Sequence, residues 1–288
     1  MNSPLFLHLD LDGAWPRERI LDLLPQAAYR DGRQWGPALR FTAQRKTVDA
    51  FYREIRGELA PFILYGSGDF HHLSALWIRS QTEPFTLVSF DNHPDWDTRP
   101  PHWCCGSWLS RAVELPCLRS ATIWGPGNFE LEWPNRGFAN WEGIRAGRLA
   151  VRPWAERLKP ASRNRWDAVT RENWREAFST FAASLAGQRI YVTVDMDCLR
   201  LEEASTNWEN GLFTAGDIAW ALEQLHGAGT VVGGDVCGAY SAPRYARFFQ
   251  RLAAAFDHPK LGPEVAAQAV EHNLASLATI WPALTARA

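Results

Sequence analysis

Sulfur is scarce in this chain, and neither sign of charge is in excess. Its 288 residues include five cysteines and two methionines. The cysteines (Cys104, Cys105, Cys117, Cys198 and Cys237) are odd in number and none are spaced as CxxC. That pattern argues against a disulfide framework and a thiolate zinc site, and points to a reducing cytosol. Lys and Arg number 30 against 32 Asp and Glu, a formal charge of −2, so no electrostatic driver exists for non-specific binding to nucleic acid or an anionic membrane. No apolar run nears the roughly 18 residues that span a bilayer. The opening segment, MNSPLFLHLDLDGAW, has no basic region and is interrupted by Asp10 and Asp12, unlike a secretory signal. There is no internal repeat and no low-complexity linker. The expectation is a cytoplasmic globular protein, residues 1–288 forming one domain. Its 46% hydrophobic and 22% charged residues suit a folded core.

What the chain does have in excess is tryptophan, 15 residues beside six tyrosines. Many sit in polar stretches: Trp133, Trp141, Trp154, Trp166, Trp174 and Trp208. Such rings either cover the core or line a surface for a peptide or other extended ligand.

Short apolar runs alternate with longer helical patterns. The runs predict strands at Leu5–Leu9, Phe62–Tyr65, Phe85–Phe90, Ala121–Trp124, Leu149–Val151, Ile190–Val194 and Thr230–Val232. They are nearly continuous rather than alternating, as in strands buried on both faces of a parallel sheet. Helices are expected at about 44–58, 71–80, 107–115, 170–186, 214–226, 242–256 and 263–280. The 214–226 helix has Thr214 as N-cap, Asp217 as its capping-box partner and Gly227 to end it. The fold class is therefore α/β, with a central, mainly parallel sheet. Residues 126–170 are the least periodic and read as an excursion.

In an open parallel sheet, ligands bind beyond the carboxyl ends of the strands. Three expected strands end in groups that bind metal. The first continues as Asp91-Asn92-His93-Pro94-Asp95, and a period of two puts Asp91, His93 and Asp95 on one side. The second continues as Asp195-Met196-Asp197, a same-side carboxylate pair. The third continues as Gly66-Ser67-Gly68-Asp69-Phe70-His71-His72, where a Gly-rich turn delivers two histidines. Taken singly, each has a plain structural reading as a cap or a solvated end. Together, so many clustered carboxylates require a cation. Four carboxylates and two imidazoles, one of them His71 or His72, favour Mn²⁺ or a similar hard ion over Zn²⁺. Six ligands suit two ions, and a two-ion site activates water for hydrolysis.

The motifs Gly68-Asp69…His71, Asp91-x-His93-x-Asp95 and Asp195-x-Asp197, in this order, resemble GGDH, DAHxD and SxDxD of the ureohydrolases. That superfamily contains arginase, agmatinase and formiminoglutamase. Asn210-Gly211-Leu212-Phe213-Thr214 resembles the family's GGLT, and the resemblance covers roughly residues 60–240. It implies a three-layer α/β/α fold of arginase type and two Mn²⁺ ions bridged by Asp91 and Asp195. His71 and Asp95 would complete one ion's sphere, His93 and Asp197 the other's. An activated water would attack the guanidinium carbon, and the tetrahedral intermediate would collapse to urea and an amine. Asp95, Asp235 and His102 are the catalytic residues the resemblance implies. Asp235 is the one carboxylate where the family pairs with the guanidinium, and His102 the one histidine in the segment TRPPHWCCGSWLSRA that follows the D-x-H-x-D motif, although it falls early for the family's proton shuttle. Ureohydrolases are often trimers or hexamers, so a homo-oligomer is possible.

The departures bear on substrate. The polar loop that grips the α-groups of free arginine is replaced by Trp103, Cys104, Cys105 and Trp108. A site without those partners discriminates poorly in favour of a free amino acid. The chain thus looks most like the atypical arginases that convert arginine within a peptide to ornithine, and an aromatic-rich rim would suit a peptide. The alternatives are a small-molecule ureohydrolase and a non-catalytic binding protein on the same scaffold. Leu9-Asp10-Leu11-Asp12-Gly13 also resembles the D-x-D-G opening of haloacid-dehalogenase-type phosphatases, although Ala14 replaces the usual threonine. Asp10 and Asp12 otherwise read as residues near the ligand entrance or as strand caps.

Overall fold

Among the described residues eight short strands form one sheet, its central strands with side chains buried on both faces. They are β1 (Phe6–Asp10), β2 (Ala28–Asp31), β3 (Phe62–Tyr65), β4 (Phe85–Phe90), β5 (Leu118–Trp124), β6 (Leu149–Arg152), β7 (Arg189–Asp195) and β8 (Thr230–Cys237). The computed structural model describes residues 4–101, 103–260 and 263–287. Strand order is β2-β1-β3-β8-β7-β4-β5-β6. Every neighbouring pair is parallel. In β3, Ile63 and Tyr65 enter one apolar cluster, Phe62 and Leu64 the other. In β7, Tyr191 faces the first cluster, while Ile190, Val192 and Val194 face the second. The helix Arg45–Ile55 closes the first side through Val48, Phe51 and Ile55. The helices Trp174–Ser184, Ala215–Ala228 and Pro263–Leu284 close the second. The result is the three-layer α/β/α architecture, with a sheet that is wholly rather than mainly parallel.

The departures from expectation have local causes. β2 (Ala-Tyr-Arg-Asp) is a partly exposed edge strand with no apolar run to announce it. β8, expected to end at Val232, runs on through Gly233-Gly234 to Cys237. The helix expected at 71–80 is three short pieces, a 3₁₀ turn Gly68–Leu73, an α turn Ser74–Trp77 and a 3₁₀ turn Ile78–Ser80. The helix expected at 242–256 begins only at Phe248. The capping box of Thr214 and Asp217 forms as expected, but the helix passes Gly227 and ends at Ala228, before Gly229. Among the described residues no helix is long and apolar enough to cross a membrane.

Register sets the site. Phe90 lies beside Val194 and Asp195 beside Cys237, so the chain leaves β4, β7 and β8 at one level. With β3 on the far side of β8, four adjacent strands deliver their carboxyl ends to one place.

Candidate metal centre

Six residues expected from the sequence to hold metal converge there. His71 Nδ1 lies 3.1 Å from Asp91 Oδ2, 3.2 Å from Asp95 Oδ2 and 3.5 Å from Asp195 Oδ2. His93 Nδ1 lies 2.9 Å from Asp197 Oδ2 and 3.5 Å from Asp91 Oδ1. The groups His71/Asp91/Asp95 and Asp91/His93/Asp197 each bring three ligand atoms within 4.8 Å of one another. Asp91 stands in both, one oxygen toward each imidazole. Between His71 and its neighbour the geometry chooses His71. His72 is buried with both ring nitrogens unpartnered among the described residues, and burial pushes its pKa down to about 3.

The segment 91–95 is not the extended ladder that a period of two assumes. Asp91 Oδ1 accepts the His93 amide at 2.7 Å, and the chain turns until Asp95 sits at φ 47°, in the left-handed region. Asp is among the few residues that tolerate this conformation. The turn brings the Asp95 carboxylate back to His71, where Trp108 Nε1 donates to Oδ2 at 2.6 Å and the Leu109 amide donates to the backbone oxygen at 3.1 Å. The second turn is fixed similarly. Asp197 N donates to Asp195 Oδ1 and Asn92 N to Asp197 Oδ1. The Gly211 amide donates to Asp197 O at 2.6 Å, and a Cβ on Gly211 would lie 2.3 Å from Cys198 O. Only glycine permits that approach.

Asp235 is placed differently from expectation. It lies inside the sheet layer, fully buried beneath His71, and does not line the cleft. Its carboxylate accepts from Thr193 (2.7 Å), Ser74 (2.9 Å), Tyr191 (2.9 Å) and Tyr65 (3.3 Å). Enclosed by these donors and away from the cleft wall, the carboxylate does not face a substrate, which corrects the assignment of Asp235 to the guanidinium. Its effect reaches the centre through Thr193, whose oxygen is 2.9 Å from His71 Nε2. Because the Thr193 proton goes to Asp235, its oxygen accepts from His71 Nε2–H, leaving the Nδ1 lone pair for the carboxylate side. His102, the expected proton shuttle, lies outside the described residues.

The electrostatics ask for a cation. Burial, with the Asp91 charge, pushes the Asp95 carboxyl up to about 8. Burial pushes Asp195 up to about 6 and, with the Asp195 charge, raises Asp197 well above the carboxylate range. Asp91 goes the other way: burial opposes its charge, but the imidazoles of His71 and His93 beside it outweigh burial. Burial lowers both imidazoles' basicity, and the surrounding carboxylates more than reverse this. His71 Nδ1 is buried and makes no hydrogen bond among the described residues. An inward lone pair amid carboxylate oxygens fits divalent ions, which would take the place of protons here.

Above the centre lies a cleft of about 420 Å³. Its wall includes Asp97, Arg99, Pro100, Cys104, Glu130 and Trp208. Trp103 and Trp108 do not form the expected aromatic rim, because both are buried in the core. Of the six tryptophans in polar stretches, Trp154, Trp166, Trp174 and Trp208 are buried, and Trp133 is 71% exposed. Trp208 alone of these lines the cleft. Asp10 and Asp12 are structural. Asp10 accepts from Gly13 N, Tyr29 and Arg33, and Asp12 from Ser67 N, Ser241 and Arg40. Both carboxylates are held by the protein's own donors, and neither lines the cleft. The sequence reading missed Thr193, Trp108 and Glu130. Thr193 shares the β7 face of Asp195, a signal that alternation offered. Glu130 stands in the aperiodic excursion, where no pattern marks it.

No family model matches the chain. An uncharacterized protein of Thermotoga maritima is 24% identical over 237 residues, 82% of this chain and 80% of that protein. A hypothetical agmatinase from Burkholderia thailandensis superposes with a TM-score of 0.51 at 17% identity, covering 99% of this chain and 88% of that one. Formimidoylglutamase from Bacillus subtilis gives 0.54 at 13% identity, covering 96% and 88%. The chain therefore has the arginase-like α/β fold that agmatinases, arginases and formimidoylglutamase of known structure share.

Proposed function

We propose that the protein is a binuclear manganese hydrolase that cleaves a guanidino group to urea, and that its favoured substrate is arginine within a peptide. The observation that carries the reading is the pair of histidine–carboxylate groups joined at Asp91 on the floor of an acidic cleft. His71, Asp91, Asp95 and Asp195 would hold one ion, and Asp91, His93, Asp195 and Asp197 the other. Such a pair, when bound, supplies water activated at neutral pH and a Lewis acid for the developing charge. Hard oxygen donors support Mn²⁺. Asp95 would accept the proton of the attacking water, and its position in the cleft wall supports that role. The five free cysteines support a cytosolic location.

Charge balance supports a substrate without a free carboxylate. Two divalent ions would neutralise Asp91, Asp95, Asp195 and Asp197. Of the other described wall residues, Asp97, Glu130 and Asp257 are acidic, and Arg99 is the one guanidinium. Arg99 is already engaged by Asp97, with Nε at 2.9 Å from Oδ2, and stacks on Phe138. The α-carboxylate of free arginine would find no uncommitted cation there. Peptidyl arginine and agmatine both avoid that cost. Phe129 at the lip, 53% exposed, and the adjacent Pro100 and Pro101 offer apolar surface to the chain flanking an arginine, which favours the peptide.

The test is a urea assay with Mn²⁺ on free arginine, agmatine and an arginine-containing peptide, with Asp91→Ala as control. Urea from the peptide, absent in the variant, is the expected result. Urea from agmatine alone would establish the small-molecule reading. No urea from any of the three, with no metal retained by elemental analysis, would overturn the hydrolase.

A further inference from the structure

With Asp235 withdrawn beneath His71, the cleft needs another group to receive a positively charged substrate. The acidic wall residues differ in how free they are. Asp97 is held by Arg99, whose Nε reaches both carboxylate oxygens at 2.9 and 3.2 Å. Asp257 is an exposed residue at the rim of the cleft. Glu130 makes no ion pair among the described residues and is only half-exposed. It sits in the 3₁₀ turn Phe129–Leu131 that follows β5, with its backbone amide tied to Asn128 Oδ1 at 3.2 Å. Its Oε2 is buried and has no hydrogen-bond partner among the described residues. Leaving a carboxylate oxygen in that state is costly, and a cationic donor removes the cost.

We propose that Glu130 is the specificity residue that receives the substrate's guanidinium, its carboxylate accepting from two N–H groups of that planar cation. This rests on the cleft being the substrate site of a guanidino hydrolase. Geometry supports it: a carboxylate and a guanidinium meet through two parallel hydrogen bonds, which a primary amine does not match. The electrostatics agree. Burial holds the empty carboxyl up at about 7, and a guanidinium beside it would restore the charged form. The bond chemistry stays with the metal centre, and Glu130 fixes which face of the guanidinium meets it. It also supplies discrimination: a neutral ureido group in the same place offers one oxygen where the guanidinium offers nitrogen donors.

The test compares the manganese-loaded protein with its Glu130→Gln and Glu130→Asp variants. The substrates are a blocked peptide with one central arginine and the same peptide with citrulline. The expected result for Glu130→Gln is a KM for the arginine peptide raised about 10- to 100-fold. Its kcat should stay within a few-fold, with wild-type metal content, and Glu130→Asp should recover part of the affinity. An unchanged KM, a fall in kcat alone, or loss of metal would each overturn the assignment. Should the wild type release no urea, the two peptides are titrated by calorimetry. Preference for arginine over citrulline that disappears in Glu130→Gln would then support Glu130 while the hydrolase reading fell. Equal binding of the two peptides, or none, would overturn both.

Discussion

The smallest feature that decides the chemistry is one proton on one hydroxyl. Thr193 donates to Asp235 and therefore accepts from His71 Nε2, which turns the Nδ1 lone pair toward Asp91 and Asp95. Thr193→Val keeps the volume and removes the relay. Asp235 retains Ser74, Tyr191 and Tyr65 as donors, so the fold should lose only about 1 kcal/mol. Mn²⁺ affinity should fall about 10- to 100-fold, as when the partner behind a ligating histidine is lost. Metal titration by calorimetry measures this, and unchanged affinity would mean that the surrounding packing alone orients His71. The same pair shows what the sequence could and could not convey. Asp91, His93, Asp195 and Asp197 were legible because a ligand at a strand end follows its strand directly. Asp235 looked equivalent but lies two residues before the end of β8, opposite Thr193, and so falls within the core.

Elements position these groups through their ends. Gly238 follows β8 at φ 102°, and a Cβ there would lie 2.1 Å from Asp195 Oδ1 and 2.4 Å from Met196 N. Gly238→Ala should displace the Asp195 carboxylate. We expect Mn²⁺ content measured after desalting to drop sharply, with the helices retained by circular dichroism; wild-type content would show that the turn relaxes without moving Asp195. The helix Ala215–Ala228 gives the contrasting case, an element end with no part in the centre. Thr214→Ala removes the hydroxyl that accepts the Asp217 amide at 2.9 Å and should cost about 1 kcal/mol in denaturant unfolding. Metal affinity should not change. Elements were legible where a buried run or a cap declared them: β3 and β4 match residue for residue, and the capping box forms as expected. β2 was not, because half-exposed Ala-Tyr-Arg-Asp owes its pairing to β1 rather than to its own pattern. The chain from 71 to 80 was read as one helix because apolar spacing does not distinguish α from successive 3₁₀ turns.

At the scale of the whole molecule, one buried polar network ties distant parts of the chain together behind the cleft. Arg40 Nε meets Asp69 Oδ2 at 2.6 Å, and Arg40 Nη1 meets Asp12 at 3.3 Å and Ser241 at 2.8 Å. His258 Nε2 meets the other Asp69 oxygen at 2.6 Å, and its ring lies 4.2 Å from that of Trp208. None of these pairings was legible, since each joins segments that share no local pattern. His258 Nδ1 is also 2.9 Å from Ala254 O, so both ring nitrogens face acceptors and the imidazolium is the form that satisfies them. Burial opposes the charge, yet Asp69 raises the pKa of His258 above 6.5, while Asp69, despite its burial, is held down to about 2 by Arg40 and His258. The two contributions to stability have opposite pH limits. That of Asp69 is present above its unfolded value of 3.8 and is lost only as pH falls toward 2. That of His258 is complete below its unfolded value of 6.5 and is lost as pH rises through the higher folded value. His258→Ala should therefore destabilise the protein by about 2 kcal/mol at pH 5.5, Arg40 still partnering Asp69, and by less at pH 9.5. Thermal unfolding of both proteins across that range gives the difference directly. A gap that stays constant with pH would assign His258 to packing against Trp208 and Phe41, whereas one that narrows on the alkaline side identifies the imidazolium as the charge that closes the network.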